Sequence, residues 1–288
     1  MANITGESLL SRSDVDALLD YVKKRRAIDF NSYRPDSIAR RIERRLLDIK
    51  ISDIPSYIQF ADDNPHELDS LIDSIGINVS SFFRNPLVFE LLRNIVIPSL
   101  IDSFEQEIVK IWCAGCSRGE EVYSVAIIIR DIVKNDPSLR EKEFFIIGTD
   151  IDKTALGDAI KGEYPAESLV SARKGYVDSY FVGNGKFYKI TDEIKKMAVF
   201  GFHDVTSLTT PAEGVFSNYQ LILCRNLLIY FNRDVYDSVI NGFSRFVSKD
   251  GYLILGESEI MPAEQNKLFR EIIPSTRIFL KTSEASHG

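Results

Sequence analysis

From about Glu107 onward, short apolar runs alternate with helix-like stretches, and this alternation constrains the fold more than any other feature of the chain. The apolar runs fall at 108–113, 144–148, 199–203, 221–224 and 252–255, and helical stretches lie between them at 120–133, 153–161 and 233–247. Strand–helix–strand alternation with strands apolar throughout predicts a parallel sheet covered on both faces. A last run at 277–280 predicts an edge strand. Ligands of such sheets sit beyond the carboxyl ends of the strands, near the point where strand order reverses, so each strand-to-helix turn is a candidate site.

Up to about Ser74 the periodicity is helical instead. Ser13 is placed to cap a helix running through Leu18, Leu19, Tyr21 and Val22, and after Pro35 the residues Ile38, Ile42, Leu46 and Ile49 form an apolar stripe. Two further helices are predicted at 54–61 and 67–75. Arg40, Arg41, Arg44 and Arg45 lie off the stripe, so 40/44 and 41/45 stack like charges one turn apart. The net charge is −7, but residues 23–50 hold ten basic and four acidic side chains, +6 locally against −13 elsewhere. An acidic chain with one basic helix argues against a general nucleic-acid binder and for a local docking surface. A solvated face moderated by Glu43 and Asp48 is the alternative.

Composition adds little beyond class. With 44% apolar and 27% charged residues the chain has the makings of an ordinary folded core. No stretch approaches the roughly 20 apolar residues of a membrane span, and residues 1–13 are too polar for a signal peptide. Three cysteines, Cys113, Cys116 and Cys224, cannot all pair, which favours a reducing, cytoplasmic setting.

The turns carry the chemistry. Gly115 and Gly119 frame the first, after the 108–113 run, and let backbone approach a ligand closely. The spacing departs from the dinucleotide pattern G-x-G-x-x-G, and Glu120 and Glu121 follow, where they repel a phosphate at the helix N-terminus. A cofactor with a cationic centre meets no such repulsion, which favours S-adenosylmethionine over NAD. Asp150, at the tip of the second run, is placed to accept from ribose hydroxyls, and Asp152 reads as the cap of the next helix. Arg225 and Asn226 leave the 221–224 run where a substrate belongs. Asn184-Gly185 between alternating apolar runs predicts a hairpin, hence a small antiparallel insertion near 179–200, with 197–200 adding or leading to another strand.

Three stretches together carry a resemblance: Asn78-Val79-Ser80-Ser81-Phe82-Phe83-Arg84, the turn from Ala114 to Glu121, and Cys224-Arg225-Asn226 through Tyr230-Phe231. With the Asp150 strand tip, they resemble the chemotaxis receptor methyltransferase (CheR) family over nearly the whole chain. The resemblance implies an α/β fold, with a doubly wound, Rossmann-like methyltransferase sheet at 107–288. It also implies an all-helical receptor-docking domain at 1–75, a linker and helix at 76–106 that contribute to the cofactor site, and the antiparallel β insertion. It further implies methyl transfer from S-adenosylmethionine, without a metal, to glutamate side chains of the cytoplasmic helical bundle of a chemoreceptor. By resemblance Asn78, Ser80 and Arg84 approach the cofactor, and Gly115, Glu121 and Asp150 line it, the separate roles of the two acids staying open. Asp204 and Val205 match the adenine side, Arg225 and Asn226 the last cofactor contacts, and Tyr230 an active-site tyrosine, with Arg84 and Tyr230 as catalytic candidates. Ser80 replaces the family's usual Thr and Val122 its usual Pro. The compact insertion resembles members that do not bind a receptor tail peptide. Arg40, Arg41, Arg44 and Arg45 become candidates for docking acidic receptor helices.

Other readings compete. Cys113 and Cys116 form a C-x-x-C at a strand-to-helix junction, which suits redox chemistry if a thiol there has a low pKa. A single such pair without nearby histidine supplies too few ligands for zinc. A nucleic-acid methyltransferase would share the sheet but sits poorly with the acidic balance. A receptor-binding protein that senses cofactor without catalysis also retains the motifs.

Overall fold

The computed structural model describes residues 10–26, 30, 33–75, 80–104, 108–214 and 218–282. The chain forms two compact units, Met1–Asn78 with Tyr230–Val235, and Val79–Ile229 with Tyr236–Gly288.

The first unit holds α1 (Arg12–Arg26), α2 (Pro35–Ile49), α3 (Ile54–Asp63) and α4 (Glu67–Ile75). Ser11, and not Ser13, starts α1: its hydroxyl accepts the Asp14 N–H at 3.2 Å and its carbonyl the Val15 N–H at 3.2 Å, which brings Ser13 inside the helix. The stripe of α2 is as expected, with Ile38, Ile42 and Leu46 buried against Leu18, Val22, Tyr57 and Leu71. Pro35 stands at the first turn of α2, where its missing N–H costs nothing, and Lys50 ends the helix in the left-handed region at φ 61°. Asp53 caps α3 by accepting the Ser56 N–H at 2.9 Å. The segment Tyr230–Val235 joins this unit: the Arg34 N–H donates to the Tyr230 carbonyl at 2.7 Å, and Tyr33 meets Phe231 edge-on at 4.9 Å.

One ion pair anchors the helical unit. Glu67 is 7% exposed and accepts from Arg45 Nε at 2.8 Å, Arg45 Nη2 at 2.7 Å and Tyr57 Oη at 2.8 Å. Burial pushes the Glu67 carboxyl up, and the guanidinium and hydroxyl more than reverse this, leaving it below the ordinary glutamate value. A depressed folded-state pKa gives stability that is fully present above the unfolded value and is lost as pH falls through the folded one. Glu67→Gln is therefore expected to lower stability at pH 7 by about 1.5–3 kcal/mol. It should also flatten the loss on acidification below about pH 4.5, the ordinary glutamate value. Melting curves of both chains at pH 7 and pH 4 check this; parallel losses would contradict it.

The second unit opens with α5 (Pro86–Leu91), a π-helical turn (Leu92–Val96) and α6 (Ile97–Ser103). Strands and helices then alternate: β1 (Val109–Ala114), α7 (Glu120–Asn135), β2 (Phe144–Asp150), α8 (Lys153–Lys161), β3 (Glu163–Pro165), α9 (Lys174–Tyr180), β4 (Phe181–Gly183) and β5 (Phe187–Ile190). The chain continues through α10 (Asp192–Lys195), β6 (Ala198–Phe202), β7 (Tyr219–Cys224), α11 (Arg233–Phe246), β8 (Val247–Leu255), β9 (Phe269–Glu271) and β10 (Ile278–Lys281). Seven strands form one sheet in the order β6-β2-β1-β7-β8-β10-β9. The first five are parallel; β10 pairs antiparallel with β8, and β9 antiparallel with β10, at one end. Strand order turns back at β1, between β2 and β7, so the carboxyl ends of these three strands meet at one switch point.

Two expectations are corrected here. The run at 277–280 is not an edge: β10 lies between β8 and β9, because Phe269–Glu271 supplies an outer strand of only three residues, too short to read by periodicity. The insertion is three-stranded in the order β3-β5-β4 and draws β3 from before the predicted segment, while 198–202 form β6 of the large sheet. Its hairpin is as expected: Gly185 takes φ 86°, and the Asn184 side chain accepts the Lys186 and Phe187 N–H groups at 3.0 Å. Among the described residues no helix is long and apolar enough to cross a membrane.

Candidate active site

The turn after β1 is built of backbone alone. The Gly115 and Cys116 N–H groups donate to the Thr149 carbonyl of β2 at 2.8 and 2.9 Å. Gly115 takes φ 72°, and a Cβ there would stand 2.7 Å from Leu227 Cδ2; Gly119 takes φ 86°, with a Cβ 2.9 Å from that of Ala159. Both positions thus need glycine for conformation and for space. Asp150 pins the same turn: its Oδ2 accepts the Ser117 N–H at 2.8 Å and its Oδ1 the Asp152 N–H at 3.0 Å. Burial pushes the Asp150 carboxyl up and these N–H groups act against it. With the Ile151 N–H these make three donors, which leaves the carboxylate room for a further one. Asp152 caps α8 through the Ala155 N–H at 2.9 Å, as the sequence implies.

Arg225 is the hub of the site. Its side chain is 2% exposed, and its Nη1 pairs with Glu121 Oε2 at 2.9 Å. Nη2 donates to the Arg84 carbonyl at 2.9 Å and to Asn85 Oδ1 at 3.0 Å, while the guanidinium lies 5.4 Å from the Phe89 ring centre. One residue thereby ties the end of β7 to the start of α7 and to the segment around Arg84. Burial pushes the Glu121 carboxyl up, and the charges of Arg225 and Arg84 oppose that rise. Glu120, 2% exposed, turns elsewhere: Ser80 bonds its carboxyl.

The Arg84 segment is strained. Phe83 and Asn85, on either side of Arg84, both have left-handed backbone, at φ 54° and 62°. For a bulky residue such as Phe83 this costs on the order of 1–3 kcal/mol. It is offset by stacking on Tyr176 (5.3 Å, 25°), edge contact with Phe89 (5.4 Å) and the Phe83 N–H bond to Ser124 Oγ at 3.0 Å. With the Arg225 bond to the Arg84 carbonyl, these contacts hold the backbone from which the Arg84 side chain extends.

Asn226 is left-handed at φ 58°, and Glu259 accepts its N–H at 3.2 Å together with those of Leu227 and Leu228 at 3.0 and 2.7 Å. Asp204 accepts the Thr206 N–H and hydroxyl at 2.8 and 2.7 Å, which caps the short turn carrying buried Val205. The His203 N–H donates to the Asp150 carbonyl at 3.1 Å, so this turn borders the tip of β2. Tyr230 packs in the first unit, with the Arg41 guanidinium 4.9 Å from its ring centre. Arg45 is held by Glu67 and Arg41 bonds the Ile75 carbonyl, whereas Arg40 and Arg44 are exposed on α2. Asn78 lies outside the described residues. Asn85 and Glu259 were not among the sequence candidates; Asn85 adjoins a motif, but Glu259 follows Asn226 by 33 residues with no local signal.

The chemistry of these groups fits S-adenosylmethionine. Carboxylates of Glu121 and Asp150 stand at the switch point, α7 opens with two acids, and Arg118 is turned to Asp158 at 2.6 Å and not to the helix N-terminus. The cations near that helix end are already paired, Arg118 with Asp158 and Arg225 with Glu121, so a phosphate would meet the two acids, whereas sulfonium, ammonium and ribose hydroxyls find acceptors. The low-pKa thiol that redox chemistry requires is not present: Cys113 and Cys116 are fully buried, and burial pushes both thiols well up. Among the described residues no group of three or more His, Cys, Asp or Glu side chains is arranged for a metal.

Comparison with known proteins agrees with this chemistry. Residues 78–278 match the family described as CheR methyltransferase, SAM binding domain, and residues 13–75 match CheR methyltransferase, all-alpha domain. A chemotaxis protein methyltransferase of Listeria innocua is 31% identical over 83% of this chain and 86% of its own length. One of Borreliella burgdorferi is 28% identical over 93% of this chain and 94% of its own. A 104.1 kDa protein of Rhodobacter capsulatus is 30% identical over 83% of this chain, which spans only 24% of that protein.

Proposed function

Because the chain belongs to the CheR methyltransferase family, we propose that it is a cytoplasmic protein-glutamate O-methyltransferase acting on chemoreceptors. The observation that carries this reading is the Arg225 hub, which joins three separated motifs at the sheet's switch point. In this reading Glu121 and Asp150 take the amino-acid end and the ribose, and Asp204 and Val205 border the adenine. Asn78, Ser80, Gly115, Arg225 and Asn226 complete the cofactor site, and Arg84 and Tyr230 orient the reacting groups.

Bound S-adenosylmethionine supplies an electrophilic methyl group on a sulfonium. The acceptor glutamate is already ionised at neutral pH, so no residue of the chain has to act as a general base. What remains is alignment of a carboxylate oxygen and exclusion of water. Arg84 is suited to the first because a guanidinium grips a carboxylate in a planar, two-point geometry and its backbone is immobilised by Arg225. The buried Phe89 ring beside the Arg225 guanidinium serves the second.

We read the receptor's acidic helical bundle as the partner, docked on α2 without a membrane insertion, nucleic acid or tethering of a receptor tail by the β insertion. Arg40 and Arg44 are the exposed pair on α2 and carry this role, with Arg45 and Arg41 committed to internal bonds. The double variant Arg40→Glu, Arg44→Glu is expected to raise the apparent KM for a receptor cytoplasmic fragment roughly tenfold, two exposed charges having been reversed at the docking face. Cofactor affinity should be unchanged; unaltered methylation kinetics would reduce α2 to a solvated face. The reading as a whole is tested by tritium transfer from labelled S-adenosylmethionine to that fragment, with base-labile methanol release marking a carboxyl ester. Cofactor binding without transfer would favour a non-catalytic sensor.

A further inference from the structure

Glu259 is 0% exposed, and among the described residues it pairs with no cation. Its partners are four backbone donors. Oε1 accepts the Leu227 and Leu228 N–H groups at 3.0 and 2.7 Å, and Oε2 those of Asn226 at 3.2 Å and Gly256. Burial pushes this carboxyl up and the four N–H groups work against the rise. Three consecutive N–H groups directed at one anion form a backbone nest of the kind that binds external phosphates or carboxylates. Here the chain fills the nest with its own side chain. The close approach needs Gly256, where a Cβ would stand 2.7 Å from the Asn226 nitrogen.

The anchored turn contains Asn226, and its Leu227 side chain is the group against which Gly115 is packed. We propose that Glu259 is a positioning residue of the cofactor site: its carboxylate holds the backbone of 226–228, and through Leu227 it sets the spacing between that turn and the Gly115 turn. This rests on the cofactor-site reading above. A neutral amide at 259 retains one accepting oxygen and turns an NH2 group toward two N–H donors, so one side of the nest must open.

The test uses the full chain and S-adenosylhomocysteine as probe, with binding measured by calorimetry. Val247→Ala serves as the control: Val247 is buried at the other end of β8, and its truncation lowers melting temperature away from the site. Glu259→Gln is expected to weaken the dissociation constant at least fivefold relative to Val247→Ala; a smaller difference overturns the proposal. Should Glu259→Gln not fold, amide hydrogen exchange on the wild-type chain decides. Amides 226–228 protected without ligand as strongly as those of β7 support it, and exchange at the rate of exposed amides overturns it. A wild-type chain that fails to bind the probe refutes the cofactor site itself, and exchange still reads the anchor.

Discussion

Arg225→Ala is expected to weaken cofactor binding strongly and to destabilise the second unit together. The guanidinium is 2% exposed and satisfies Glu121, the Arg84 carbonyl and Asn85. Truncation leaves a buried carboxylate without its counter-charge, a change that costs about 3–5 kcal/mol. The same cut frees the Arg84 segment, whose strained Phe83 and Asn85 then lose one of the contacts that hold them. Losing a buried charge pair of this kind weakens binding by roughly 30-fold or more. Thermal melts and calorimetry with S-adenosylhomocysteine measure the two effects. Adding Glu121→Gln to Arg225→Ala should restore part of the stability, because the unpaired carboxylate is gone, but none of the affinity. Wild-type affinity in Arg225→Ala would remove the hub from the site.

Arg84→Ala should behave differently, with turnover falling on the order of 100-fold, the scale of a misaligned reacting group. The Arg84 backbone bond to Arg225 survives the substitution, so transfer should fall by more than fold stability does. Tyr230→Phe keeps the ring under Arg41 and removes one hydroxyl, for a loss of roughly tenfold in kcat if that hydroxyl bonds the reacting carboxylate. Single-turnover rates with saturating cofactor separate these effects from binding. Unchanged turnover in both variants would strip Arg84 and Tyr230 of their assigned roles.

Much of the site is legible in the chain because its parts are local. Gly115, Gly119 and the acids after them adjoin a strand end, Asp152 lies one residue before its helix, and Asn184-Gly185 declares its own turn. What escaped notice lies at longer range or in backbone angles. Glu259 has no motif of its own, and its purpose appears only when β8 returns beside β7 and four N–H groups converge. The left-handed angles of Phe83 and Asn85 are invisible because phenylalanine ordinarily avoids that region, and only packing against Tyr176 and Phe89 compensates for it. The four arginines of α2 look equivalent by spacing, yet one is clamped by Glu67 and another lies over Tyr230.

By itself the sequence determined the layers of this protein: helices first, then a parallel sheet with glycine and acid at its first turn. Those features follow from periodicity and from backbone sterics, which act over a few residues. Only the tertiary structure decided which of two adjacent glutamates meets Arg225 and which meets Ser80, and which arginines remain exposed. It also decided that a carboxylate from beyond β8 holds the turn after β7. Such choices depend on desolvation and on distances of a few ångströms between groups far apart in the chain, which no local pattern encodes.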